Sequence, residues 1–253
     1  MDKNSSRTFF GLSGQVVFII LALGILYYPM FSKLISYGWK YADYDHGMFI
    51  LPISCYLIWS VKNQLVLRND FSLRGFIFFF TGFLLYLYSA YNDFLFLQAI
   101  TFVWIIASLC LLRLDTQSMR LMFFPVSYLV FMIPPPSLMI DSLTVPLKEI
   151  STQGAYWLLK AIQIPIKVSG SIIDVNGHQL FINDACSGFR SIVTLLALGA
   201  LYIKYQHMSL RRKWLAFLSV IPIGILGNIV RIAVTGFISY RFGFKYAEGF
   251  FHE

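Results

Sequence analysis

Apolar residues run along this chain in blocks of membrane-spanning length, separated by short polar segments that carry most of its charge. The first block covers residues 15–36, the second 47–61, the third 75–91 and the fourth 94–112. A fifth ends at Ile133-Pro134-Pro135-Pro136, a sixth covers 186–205 and a seventh 214–240. About 20 apolar residues cross a hydrocarbon core of about 30 Å as a helix, which satisfies its backbone polar groups without water. The pattern therefore predicts an all-α polytopic membrane protein with about seven transmembrane helices, forming one integral domain over residues 1–253. Tyr91-Asn92-Asp93 makes a tight turn between the third and fourth blocks. The prolines end the fifth helix, because proline offers no N–H and restricts the residue before it.

One long stretch, residues 141–184, breaks this rhythm. Its first half places Leu143, Leu147, Ile150, Gly154, Trp157 and Ala161 at three- and four-residue steps, which predicts an amphipathic helix lying on the membrane surface. Its second half has short β-prone runs on either side of Asn176-Gly177, a strong turn signal, and predicts a small β-hairpin. An external region over about 138–185 thus leads into the polar turn Asn183-Asp184-Ala185-Cys186-Ser187-Gly188-Phe189-Arg190 at the head of the sixth block.

Composition agrees with the membrane reading: 58% of the residues are hydrophobic and 13% charged, against about 25% charged in soluble domains. The first block is too long for a cleaved signal and no small-residue cleavage site follows it, so it is expected to remain as a span. The net charge of +8 is read as the lysine and arginine bias of cytoplasmic loops rather than as a nucleic-acid footprint. With the N-terminus inside, the cytoplasmic segments hold Lys3, Arg7, Lys62, Arg68, Arg74, Arg113, Arg120, Lys204, Arg211, Arg212 and Lys213. Only Asp2, Asp70 and Asp115 oppose them, and the other nine acids fall outside or at the outer boundary. This orientation puts Cys186 at the outer face.

Cys55 and Cys110 lie inside apolar runs, so no disulfide framework is implied, and no cysteine and histidine cluster has zinc spacing. No metal or cofactor is expected. Cys186 differs by position, since a helix start presents unpaired N–H groups and the positive end of the dipole, both of which favour thiolate. The plain alternative is a small apolar filler, a common role for membrane cysteines. Counting from Lys213 at about 1.5 Å per residue puts Arg231 roughly 27 Å up a core of about 30 Å, level with Cys186. Arg231 is read either as the cation beside that thiol or as a structural arginine paired to Asp184 or Glu248 or reaching the interface. Asn228 lies one turn below Arg231 on the same face and is read as orienting it or satisfying a carbonyl. His252 sits on the same side and is read as a proton carrier for the thiol, against the alternative of a solvated tail residue. His46, at the outer mouth of the second block, is a rival base, whereas His178 and His207 read as surface residues.

Several segments together resemble the exosortase/archaeosortase family of polytopic membrane cysteine transpeptidases. They are Asp45-His46-Gly47-Met48-Phe49-Ile50-Leu51-Pro52, Phe131-Met132-Ile133-Pro134, Gly154-Ala155-Tyr156-Trp157-Leu158-Leu159, Ala185-Cys186-Ser187-Gly188-Phe189-Arg190, Gly227-Asn228-Ile229-Val230-Arg231 and Glu248-Gly249-Phe250-Phe251-His252-Glu253. Each is weak alone, and they stand in the family's order from the second block onward. The resemblance implies catalytic roles for Cys186, Arg231 and His252. It also implies membrane-anchored protein substrates whose C-terminal sorting signal has a Pro-Glu-Pro-like motif, an apolar helix and a basic end. An exosortase would sit in the inner membrane of a Gram-negative bacterium, and archaeosortase is the other branch. The chain stops one residue after His252, where relatives continue into a further membrane segment, so it is expected to be either a shortened member or a piece.

The mechanism expected is attack of the Cys186 thiolate on a backbone carbonyl outside the membrane, with the N–H groups around Ser187 and Gly188 as added donors. Two other classes remain open at this point. One is a scaffold or transporter in which Arg231 pairs with Asp184 or Glu248 and Cys186 packs. The other is a hydrolytic protease or a thiol-dependent acyltransferase.

Overall fold

The computed structural model describes residues 13–39, 44–68, 70–170, 172–175, 178–181 and 187–243. The chain divides into two compact units, Met1–Pro135 and Pro136–Glu253. Together their described residues hold eight α-helices and one small sheet.

In the first unit α1 (Ser13–Lys33) runs on into a wider π-type turn at Leu34–Gly38. It is followed by α2 (Gly47–Val61), α3 (Leu73–Tyr91), α4 (Leu95–Arg113) and α5 (Thr116–Tyr128). The turn expected at Tyr91-Asn92-Asp93 reverses the chain through Asp93 at φ 58°, a value that aspartate tolerates better than most residues. Glycines on α3 bring the hairpin close. A Cβ at Gly75 would lie 2.6 Å from the Leu112 nitrogen, and one at Gly82 would lie 2.6 Å from the Trp104 ring. Trp104 Nε1 then donates to the Phe78 carbonyl at 2.9 Å. The fully buried Tyr27 of α1 donates to Thr101 at 3.2 Å and meets the Phe102 ring edge-on.

Asp115 caps α5, accepting the Ser118 N–H at 2.9 Å, and these bonds hold its carboxyl below the usual carboxylate range. At its other end α5 tightens into a 3-10 turn over Leu129–Met132 before the prolines. Trp39 Nε1 donates to the Met132 carbonyl there at 3.0 Å, satisfying an acceptor that the ending helix leaves open.

The second unit holds α6 (Ser137–Ala161), three strands, α7 (Phe189–Tyr205) and α8 (Leu210–Phe242). The expected hairpin is present as β2 (Ile172–Val175) and β3 (His178–Phe181), whose Val175↔His178 pairing leaves Asn176 and Gly177 as the connection. It gains a strand that the sequence did not suggest: β1 (Ile166–Ser169) pairs antiparallel with β2, giving the order β1-β2-β3. Ile173 and Val175 pack with Ile164, Ala155 and Leu159 of α6 and Ile232 of α8, so the sheet is seated on both helices.

The expected apolar stripe of α6 faces outward from the protein, and its small polar residues face inward. Thr144, Ser151, Thr152, Ala155 and Leu159 are buried, while Leu143, Ile150 and Trp157 of the expected apolar stripe are exposed. Gly154 meets Ile229 of α8, and Leu159 meets Gly236. Close approach of two helices favours small side chains between them, and in a membrane the outward face is the apolar one.

Each of the seven expected spans corresponds to a helix. Among the described residues four stretches are long and apolar enough to cross a membrane: Val16–Gly38, Leu73–Tyr91, Leu95–Arg113 and Leu210–Phe242. A fifth is added if Thr116–Met132 and Ser137–Ala161 count as one broken span. Helices α2, α5 and α7 have only 15, 13 and 17 residues, shorter than the roughly 20 that span a bilayer upright.

Candidate active site

Asp184, Cys186, Glu248 and His252 lie outside the described residues, so the site is built from what flanks them. The sequence places the sixth span from residue 186, whereas α7 begins at Phe189 with Gly188 as its cap. Cys186 itself, expected at the first turn, lies outside the described residues. Ser187 is 2% exposed, and its hydroxyl accepts the Phe189 N–H at 3.2 Å. That N–H is already engaged, which removes it from the set of spare donors. Gly188 has φ +79°, a backbone region open to glycine and strained for other residues.

Asn228 is the neighbour that explains this glycine. A Cβ on Gly188 would lie 2.9 Å from both Cβ and Cγ of Asn228, so the chain beside Cys186 lies directly on α8. A second contact follows one turn along, where Ile192 fills the space over Gly224. Gly199 faces Val220 further down. The two helices therefore run antiparallel, stepping four residues at a time between the first two contacts. One further step beyond Asn228 reaches Arg231 and Ile232.

Arg231 is half-buried on α8, and its carbonyl accepts the Thr235 hydroxyl at 2.9 Å. Its neighbour Ile232 packs under Ile173 and Val175, so the sheet covers α8 one residue past the guanidinium. Asn228 is 5% exposed. Beside the expected roles of orienting Arg231 or satisfying a carbonyl, its contact with Gly188 seats the start of α7. The Gly188–Asn228 pair was not foreseen, and its only sequence signal is a glycine immediately before an apolar helix.

His46 belongs to the first unit. It precedes α2, with its ring 4.2 Å from that of Tyr44, and burial pushes the Tyr44 phenol up. The following Gly47 is required by Trp39, whose Nε1 would lie 2.5 Å from a Cβ there. The Asp45-His46-Gly47 segment thus has a packing reason for its glycine.

No curated protein and no solved structure matches the chain. One protein-family comparison does match, over residues 39–253, and its description is transmembrane exosortase (Exosortase_EpsH). That match takes in the flanks of Cys186, the Asn228 to Arg231 turn and the segment ending at His252, and by it the chain belongs to the transmembrane exosortase family.

Proposed function

We propose that this protein is a cysteine transpeptidase or protease that cleaves C-terminal sorting signals of exported, membrane-anchored proteins. It acts at the outer face of an inner membrane that it crosses seven times, with its N-terminus in the cytoplasm. The Cys186 thiolate attacks the carbonyl carbon of the scissile peptide bond; the carbon–nitrogen bond breaks, and the leaving amine takes a proton from His252. The upstream protein remains as a thioester on Cys186, and an amine or water then releases it. Arg231 holds the thiol in its charged form or stabilises the oxyanion, and Asn228 keeps the Ser187-Gly188 turn in place. No cofactor or metal enters the scheme.

The observation that carries this reading is the antiparallel register of α7 on α8. Contacts at Gly188–Asn228 and Ile192–Gly224 support an Arg231 side chain level with the chain that enters α7. Replacing Cys186 by alanine, and separately by serine, in cells expressing a tagged substrate tests it. Both variants are expected to accumulate uncleaved substrate, and undiminished cleavage by either would overturn the mechanism.

A further inference from the structure

The first unit carries a second surface that the cysteine chemistry does not use. The C-terminal ends of α2 and α4 and the N-terminal starts of α3 and α5 converge on one side of it. The two loops at that side are tied into a single platform. Leu67 and Leu114 form an antiparallel bridge, Arg68 N–H donates to the Arg113 carbonyl at 2.7 Å, and Asp115 N–H donates to Val66 at 3.2 Å. Val66 N–H in turn donates to the Ser118 hydroxyl at 2.8 Å. Beneath lie the buried Leu65, Cys110, Leu114, Met122 and Val126, which hold both loops down.

Two kinds of side chain decorate this platform. Lys62, Arg68, Arg74, Arg113 and Arg120 give five positive charges against Asp70 and Asp115, and Arg68, Arg74 and Arg120 are exposed. Among them stand large apolar groups in the open: Trp59 at 62% and Phe71 at 67% exposure. Lys62 Nζ lies 3.1 Å from the Trp59 ring centroid, and Arg113 lies over Phe71 at 4.4 Å. Aromatic rings with cations on their faces suit the headgroup level of a bilayer, where the ring meets acyl chain and the charge meets phosphate. A soluble acidic partner would satisfy the charges and leave Trp59, Phe71 and the apolar start of α3 in water.

We infer that this platform is a binding site for anionic phospholipid headgroups of the adjacent leaflet. Arg68, Arg74 and Arg120 contact the phosphate, and Trp59 and Phe71 lie against the upper acyl chains. The bridge between the loops matters because it ties the segments that carry these basic residues to one another.

Native mass spectrometry of the purified full chain tests this. The protein is loaded with equal amounts of phosphatidylglycerol and phosphatidylcholine of matched acyl chains. Phosphatidylglycerol is expected to be retained roughly tenfold over phosphatidylcholine, given the pull of each basic residue on an anionic surface. The variant R68Q/R74Q/R120Q is expected to lose that preference, and R68K/R74K/R120K, which keeps the charge, to retain it. Equal retention of the two lipids by the wild type would overturn the proposal, as would an unchanged preference in the glutamine variant or its loss in the lysine variant. Retention of inorganic phosphate at the same level as phosphatidylglycerol would show a bare anion site and would likewise overturn it.

Discussion

Gly188 is where backbone and side chain demand the same residue. Its φ of +79° is one that an L-residue reaches only at a cost, and its hydrogen faces Asn228 with no room for a methyl group. Gly188→Ala combines left-handed strain of about 1–2 kcal/mol with overpacking of about 1–3 kcal/mol. The variant is expected to reach the membrane, melt at lower temperature in detergent and process substrate at least tenfold more slowly. Adding Asn228→Ala removes the contacts with Cγ and Nδ2 but leaves the one with Cβ at 2.9 Å and the strain, so the double variant should regain only a small part of the melting temperature. Arg231 gives a second test through proton affinity. A cation near a thiol favours thiolate, so its removal raises the thiol pKa. In Arg231→Gln, alkylation of Cys186, followed on its own peptide by mass spectrometry, should need a higher pH, with the midpoint rising by about one unit. An unmoved midpoint would leave Arg231 a structural residue.

At the level of elements, helix positions were legible because hydrocarbon-length apolar runs leave the backbone little choice but to helix. What each helix presents to its neighbour was not legible for α6. The pattern marks an apolar stripe, and Trp157 on it is exposed, but the residues that pack inward, Thr144, Ser151, Thr152 and Ala155, form too small and mixed a set to stand out in the sequence. The strand β1 was missed for a related reason: four residues, Ile166–Ser169, carry too short a pattern to register until β2 is present to pair with them. Of the site, the flanks of Cys186 and the Asn228–Arg231 turn were legible as types and order, while their contact depends on helix register. The α6–α8 seam makes that register testable. A Cβ at Gly154 would lie 2.6 Å from Cδ1, 2.8 Å from Cγ1 and 3.0 Å from Cγ2 of Ile229. Gly154→Ala should destabilise the protein by about 1–3 kcal/mol, and Ile229→Ala should offset much of that in the double variant, a coupling that a double-mutant cycle reads directly. Additive losses would mean that the two helices do not meet there.

For the whole molecule the question is which side of the membrane each loop occupies, and the proposed orientation rests on charge. The exposure of Phe18, Ile25, Leu73, Phe123 and Leu210, each above 70%, suits a surface wrapped in lipid and not in water. Across such a surface, translocation leaves lysine and arginine on the cytoplasmic side while acids exert little pull. The loops between α2 and α3, α4 and α5, and α7 and α8 carry Lys62, Arg68 and Arg74, then Arg113, and then Arg211, Arg212 and Lys213 at the α8 start. The β1–β2 turn at Gly170 has open space around it, and the proposed orientation assigns it to the outer side. In a background with Cys55, Cys110 and Cys186 replaced by serine, Gly170→Cys should therefore react with a membrane-impermeant maleimide added to intact spheroplasts, since its positive φ is borne by a turn with nothing packed on it. Ser209→Cys, which lies in the α7–α8 loop, should react only after the membrane is opened. The reverse labelling would invert the chain, place Cys186 in the reducing compartment and remove the exported substrates from its reach.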